Sequence, residues 1–392
     1  MGVLRDLLCF SHLRWNFVFQ RPQHLMVRCA RRRRVFFIEE PIHDAAEPRL
    51  DLTISHGVHV VVPHLPRGQD GAAALDAERA LLARLTADHG IDAPVLWLYT
   101  PLALPLVEDL TGEAVVYDCM DELSSFAGAP ADLPRRERDL LARADLVFTG
   151  GMSLYEVKRT MHPRVHAFPS SVDVEHFARA RRAGEQPPDQ QPIPRPRLGY
   201  CGVIDERMDL RLIGDLAARR PDWQLVLVGP IVKIDPATLP RAANIHYLGM
   251  KKYEQLPAYL AGWDVALLPF ARNDATRFIS PTKTPEYLAA GLPVVSTSVK
   301  DVVRPYGERG LVHIADTVDE FARAIESAWS PARSHRLREV DALLATTSWD
   351  RTWSAMNDLL EAVLAERRAA PARSAVAAPA AAGRSRPEAT PA

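Results

Sequence analysis

A lysine and a glutamate three residues apart, Lys283 and Glu286, sit inside the run FISPTKTPEYLAAGLPVVST, from Phe278 to Thr297. The run reads as a loop, a helix and a short strand. Thr282 or Thr284 can cap the helix, and Pro285 fits its first turn, where a missing N–H costs nothing. Gly291 ends the helix and Pro293 keeps it from continuing. Val294 and Val295 then read as a buried strand. At this spacing the ammonium and the carboxylate face one space. First-turn N–H groups point there too, where an anion can bind. A cation, a carboxylate and oriented N–H donors suit a ligand that carries both phosphate and hydroxyl groups.

Pro281, Lys283, Glu286, Tyr287, Leu288, Ala289, Gly291, Pro293, Val294 and Val295 fit the pattern P-x-K-x-x-E-Y-L-A-x-G-x-P-V-V. This resembles the donor-site motif of family 4 glycosyltransferases, retaining enzymes with two Rossmann-like domains. The resemblance implies that Glu286 holds the ribose hydroxyls of a nucleotide sugar. It sets Lys283 at the diphosphate and Ser280 and Thr282 beside the donor. That family often has a second glutamate eight residues earlier, at the sugar; here the position is Phe278. The plainer reading is an amphipathic helix between two sheet elements, against which ten matches at fixed spacing weigh.

Other groups surround this motif. His12, Trp15 and Arg21 follow the first apolar run, and loops beyond strand carboxyl ends are where open α/β sheets bind ligands. They are read as acceptor contacts, the alternative being a loop held by aromatic packing. The run W-N-F-x-x-Q-R-P-Q-H-L is similar to a subset of bacterial glycosyltransferases, including those of teichuronic acid and exopolysaccharide synthesis. VVYDCMDE places Asp118, Asp121 and Glu122 at one strand end. Asp121 is assigned to an acceptor or sugar hydroxyl; alternatively it or Glu122 caps the next helix. In the second half Gly202 and Gly229 end strands and Tyr253 follows Gly249. The resemblance puts the donor against them and makes Arg207 a helper of Lys283 at the diphosphate. The alternative for Arg207 is a surface pair with Glu206 or Asp209. Arg28 and the arginines at 31–34 form a basic cluster, fit to touch an anionic membrane surface or to complement a helix C-terminus.

Alternating strands and helices must position these groups. Leu7–Phe10, Val35–Ile38, Val58–Val62, Val95–Tyr99, Ala114–Tyr117 and Leu146–Phe148 read as strands, near-continuous in hydrophobicity as a covered parallel sheet requires. Helical patterns lie between them at Pro22–Arg33, Ala72–His89 and Leu133–Ala144. The alternation restarts at Leu198–Val203, Leu225–Val228, Ile245–Leu248, Val265–Leu268 and Val294–Ser296, with helices at Leu210–Arg219, Leu256–Ala261, Pro285–Ala290 and Val318–Trp329. This predicts an α/β protein with two Rossmann-like, doubly wound domains facing a cleft, the GT-B architecture of the resembled family. The expected division is an N-terminal acceptor domain over 1–178 and a Pro-rich linker over 179–196. A donor domain over 197–348 and a helix over 349–368 bracing the first domain follow. Residues 369–392, rich in Ala, Pro, Arg and Ser, are expected to be disordered.

Composition narrows the classes. The chain has 392 residues, 47% hydrophobic and 25% charged, enough for two cores. Its net charge of −1 draws no nucleic acid. Four scattered cysteines form no C-x-x-C pair, against zinc and disulfides and for a reducing compartment. No apolar run reaches the length of a membrane span and no signal peptide is legible, so the protein is expected in the cytoplasm, with the inner membrane face as an option. No D-x-D occurs, so neither metal nor cofactor is expected. The resemblance implies transfer of a sugar from a nucleotide diphosphate donor to a glycan or lipid-linked acceptor, with retained configuration, in cell-surface polysaccharide or glycolipid synthesis. Two rivals stand beside it: a nucleotide-sugar 2-epimerase on the same fold, and a non-catalytic nucleotide-sugar-binding protein.

Overall fold

A computed structural model describes residues 5–182, 184–329 and 333–369, without the side chains of 333–336. The first half is a single sheet of β1 (Leu7–Ser11), β2 (Val35–Glu39), β3 (Ile42–Ala45), β4 (Arg49–Ser55), β5 (Val58–Pro66), β6 (Val95–Leu98), β7 (Ala114–Cys119), β8 (Leu146–Thr149) and β9 (Val165–Ala167). The order is β3-β5-β2-β1-β6-β7-β8-β9, and β4 lies antiparallel against β5. All other pairs are parallel. Helices α1 (Arg21–Cys29), α2 (Gly71–Asp88), α3 (Leu133–Arg143) and α4 (Met152–Lys158) accompany the sheet, and α5 (Val174–Ala178) follows it.

The second half is a parallel sheet of β10 (Arg197–Cys201), β11 (Gln224–Val228), β12 (Ile245–Gly249), β13 (Val265–Leu268), β14 (Val294–Ser296) and β15 (His313–Ile314). Its order is β12-β11-β10-β13-β14-β15. Around it lie α6 (Leu210–Arg219), α7 (Leu256–Ala261), α8 (Lys283–Ala289), α9 (Lys300–Val302), α10 (Val318–Ala328) and α11 (Arg333–Leu344). In both sheets the strand order reverses beside the first strand, between β1 and β6 and between β10 and β13. Crevices for ligands open at such switch points. The doubly wound class read from the sequence is the one found.

Four strands and four helices escape the sequence reading: β3, β4, β9, β15, α4, α5, α9 and α11. Most are short. β4, RLDLTIS, is an outer strand that leaves Leu52 and Ile54 exposed, so it lacks the run of buried residues that marks a central strand. α1 ends at Cys29 rather than Arg33 because residues 30–33 turn away. There Arg33 buries its guanidinium against Glu361.

α12 (Trp349–Ala369) lies on the first sheet, with Trp349, Trp353, Met356, Leu360, Val363 and Leu364 buried at helical spacing. Each such side chain contributes roughly 1.5–3 kcal/mol of burial. The same helix holds part of the basic cluster. Arg28 and Arg31 reach Asp350 at 2.9 and 2.7 Å, and Arg34 pairs with Asp6 at 2.6 Å. Arg28, Arg31, Arg33 and Arg34 thus each hold a carboxylate, while Arg32 is exposed. Among the described residues no helix is long and apolar enough to cross one.

The stretch 179–196 is not a free connector. Gln190 is fully buried, donating to the Tyr259 carbonyl at 3.0 Å and accepting from Trp263 Nε1 at 2.9 Å. Arg181 reaches the Ala289 carbonyl at 2.7 Å and Asp341 at 2.7 Å. Val172 and Phe177 already belong to the second core, while Phe168 packs on the first. The chain therefore crosses between halves at 168–172 and returns at 344–349. Of the expected tail, residues 370–392 lie outside the described residues.

Candidate functional site

α8 is anchored by one side chain. The Tyr287 hydroxyl accepts the Cys201 N–H at 2.7 Å and donates to the Cys201 carbonyl at 3.2 Å, tying the helix to the end of β10. Gly291, at φ +77°, closes the helix as the Leu292 N–H reaches back to the Tyr287 carbonyl at 3.0 Å. The start differs from expectation. Neither threonine caps: Thr282 sits at the cap without a side-chain bond, and the buried Thr284 hydroxyl has no partner. The N–H groups of Thr284 and Glu286 are taken by the carbonyls of Pro281 and Thr282, and Pro285 has none. Few first-turn amides remain for an anion, so positive charge here rests on Lys283.

Two adjoining cavities of about 270 and 120 Å³ open between the halves. Lys283 lines both, as do Val18 and Gly202. Its Nζ donates to Glu286 Oε2 at 2.6 Å, and Glu286 is buried behind it. Burial alone would lower the lysine's pKa, but the glutamate and the Cys201 thiol lift it above its ordinary value. Burial pushes the glutamate up while the ammonium opposes that. The pair is one neutral unit.

The larger cavity has Tyr253, Gly202 and Gly229 on the second-half side and Trp15 to Phe19 on the other. Gly229 has φ +150°, and a Cβ there would lie 1.8 Å from the Gly202 carbonyl oxygen. Only glycine lets these two strand ends touch through backbone. Tyr253 stacks on His176 at 4.3 Å with its hydroxyl buried and unpartnered. Trp15 is 4% exposed and packs edge-on against Phe37 at 5.0 Å, so it forms a wall.

The smaller cavity gathers Ser280, Thr282, Arg207 and Asp121 with Lys283. Arg207 forks onto Asp205, at 3.0 Å from Nε and 2.7 Å from Nη2, rather than onto Glu206 or Asp209. Burial pushes the Asp121 carboxyl up to about 6, against the pull of Arg207. Its two neighbours in sequence do other work. Asp118 is fully buried on Arg21 at 2.8 Å, and Glu122 holds the buried Lys158 at 2.7 Å.

Two acceptor assignments change. Arg21, 1% exposed, spends its guanidinium on Asp118 and on the Phe168 carbonyl at 2.7 Å, so it supports the cleft wall instead of offering donors. His12 lines neither cavity; burial, then Lys233, lowers its pKa to about 4, and its Nδ1 is buried unpartnered.

Lys233 was missed. It has φ +61°, lies 5.5 Å over the Phe126 ring, and acts electrostatically on Asp121, His12 and Glu40. The strand end at Gly229-Pro230 was the available signal, four residues short of it. Phe19, 5.1 Å from Tyr253, was likewise unnamed within a loop already singled out.

Residues 195–330 match the family described as Glycosyl transferases group 1. TuaH of Bacillus subtilis (strain 168), named as a teichuronic acid biosynthesis glycosyltransferase, is 28% identical over 54% of this chain and 58% of its own. A GDP-mannose-dependent alpha-mannosyltransferase of Mycolicibacterium smegmatis is 28% identical over 59% of this chain and 60% of its own. The chain thus spans under two thirds of the curated relatives it matches. Sucrose-phosphate synthase from Thermosynechococcus elongatus superposes with a TM-score of 0.69 at 15% identity, covering 92% of this chain and 100% of that one. Anabaena Alr3699/HepE, in complex with UDP and glucose, gives 0.63 at 14% identity, covering 91% and 99%. These likenesses bear out the GT-B fold and the resemblance to group 1 glycosyltransferases.

Proposed function

We propose that this chain, whose second half is a group 1 glycosyltransferase domain on the GT-B fold, moves a sugar from a nucleotide diphosphate to an acceptor hydroxyl with retained configuration. The observation that carries this is the Lys283–Glu286 pair at the junction of two cleft cavities. The ribose hydroxyls take over Glu286, and Lys283 swings to the diphosphate. Each charge then exchanges one partner for another, so neither is left bare in a buried site. As the bond from the sugar's anomeric carbon to phosphate breaks, negative charge grows on the diphosphate. Lys283, helped by Arg207 and without a metal, meets that charge more strongly than the ground state. Asp121, on the first-half wall, orients a hydroxyl of the acceptor or the sugar. The UDP complex of a protein with this fold and the GDP-mannose dependence of a relative support a nucleotide sugar as donor. The TuaH name supports a role in cell-surface polysaccharide synthesis.

Calorimetry with UDP and GDP tests the donor half. The wild type should bind one of them, and Glu286→Ala should weaken that binding about ten- to a hundredfold, the loss of a charge-assisted hydrogen bond. Unchanged affinity in the variant would remove Glu286 from the site.

A further inference from the structure

Asp121 is the carboxylate that lines the smaller cavity, beside Lys283 and Arg207. Its own backbone does little to fix it. β7 ends at Cys119, and among the described residues no backbone–backbone hydrogen bond holds Met120 or Asp121. The next residue is the anchor. Glu122 accepts from Lys158 Nζ at 2.7 Å and from the Ser124 hydroxyl at 2.7 Å. Lys158, at the end of α4, is 2% exposed and donates as well to Glu137 of α3 at 2.7 Å. Glu137 in turn accepts from the Tyr117 hydroxyl of β7 at 2.8 Å. Burial would lower the lysine's pKa, but Cys119, Glu137 and Glu122 lift it above its ordinary value. One ammonium therefore faces two carboxylates. Glu137 alone keeps the buried charge paired. Glu122 is surplus to that balance, and what its bond adds is a fixed place for the residue after Asp121.

The helix that supplies Lys158 is itself docked on the second half. At its start Ser153 gives both its N–H, at 3.0 Å, and its hydroxyl to Asp301. Two glycines just before it let backbones touch. A Cβ on Gly150 would lie 2.7 Å from the Met120 carbonyl oxygen. One on Gly151 would lie 2.8 Å from Ser280 Cβ and closer still to Asp301. Phe278, shortly before Ser280, packs on the first-half core that contains Leu154 of α4. The Asp121 loop, the start of α4 and the loop that opens the donor motif are thus in direct succession.

We propose that Lys158, acting through Glu122, is a positioning residue that holds Asp121 in register with the donor motif. The inference rests on the transferase reading and deepens it. An orienting group displaced by about an ångström can cost on the order of a hundredfold in rate.

The test uses the full chain and Glu122→Ala, which removes the tie yet leaves Lys158 paired with Glu137. The Glu122 side chain is 14% exposed, so the variant opens to water rather than to a sealed void. Carboxyl-carbon NMR, with Asp121→Asn to assign the signal, reads the Asp121 titration without any substrate. Burial holds that carboxyl up at about 6, with Arg207, Asp205, Arg21 and Lys233 as its charged neighbours. In Glu122→Ala the freed loop admits water, so the titration should fall toward the ordinary value of about 3.9. Glu122→Gln, whose amide oxygen still accepts from Lys158, should keep it near its wild-type position. With UDP-glucose and GDP-mannose as donors and methyl glycosides as acceptors, Glu122→Ala should lower kcat about tenfold or more. Glu122→Gln should restore most of that rate, and the affinity for UDP and GDP should stay unchanged in both variants. A network that merely stabilised the fold would lower the urea midpoint and leave the titration in place. That outcome, or an unchanged kcat in Glu122→Ala, would overturn the inference. The transferase reading fails separately: a wild type that turns over no nucleotide sugar would discard that reading, while the titration still decides whether Lys158 and Glu122 place the carboxylate.

Discussion

At the scale of single residues, the account depends on how charge is kept ready in a buried cleft. Lys283 and Arg207 are each neutralised by a carboxylate, so a donor must exchange partners with them. Lys283→Ala should lower kcat about a hundredfold or more, since loss of one contact to developing charge costs roughly 2.7–4 kcal/mol. EDTA should leave the wild-type rate in place, and steady-state rates with and without chelator check both. Asp121 gives a pH signature. Its folded pKa is raised to about 6, above the unfolded value of about 3.9. The charged form accepts the stronger hydrogen bond from a hydroxyl, so kcat/KM should rise with pH through about 6. Its effect on stability runs the other way. The folded state holds the proton more tightly, so that contribution is present at low pH and is lost as pH climbs from about 4 to 6. Asp121→Asn should remove this acidic limb from the rate profile; a limb that survives would assign it to another group. Spacing alone made Lys283 and Glu286 legible. It could not separate Asp121 from Asp118, because only the fold shows which carboxylate an arginine from another helix has claimed.

Elements decide where those residues stand. α8 has seven residues, too few to hold itself in water, and its position comes from Tyr287 bonding both backbone groups of Cys201. Tyr287→Phe leaves a buried N–H and carbonyl without partners and should destabilise the fold by about 1–3 kcal/mol, read by urea unfolding. Stability unchanged within error would show that the helix is held by packing alone. Helix and strand alternation was readable wherever a strand was buried on both faces, as in β1, β6 and β13. It failed for β4, none of whose residues is buried, and for α4 and α5, which span seven and five residues and show too little periodicity to detect.

For the molecule as a whole, the proline-rich segment looked like the hinge, since proline breaks regular structure. Its Gln190 and Arg181 contacts are long-range and invisible in local composition. They bind the segment to the second half, and the crossings lie at 168–172 and 344–349. Across the halves Ser153 donates its N–H to Asp301 at 3.0 Å, and Lys300 and Arg304 both reach Glu156 at 2.5 Å. Asp121 and Lys283 line one cavity between the halves, and closure about these crossings would draw them in around a donor. Small-angle scattering should therefore show a smaller radius of gyration with saturating nucleotide diphosphate sugar than without; superimposable profiles would argue against closure. The central claim is glycosyl transfer, and proton NMR of a complete reaction tests it most directly. The wild-type chain is mixed in EDTA buffer with each of a panel of nucleotide diphosphate sugars and glycoside acceptors. The account predicts a new glycoside with the donor's anomeric configuration and an equimolar amount of nucleoside diphosphate. A donor that is only epimerised, only hydrolysed, or left untouched across the panel of sugars would contradict it.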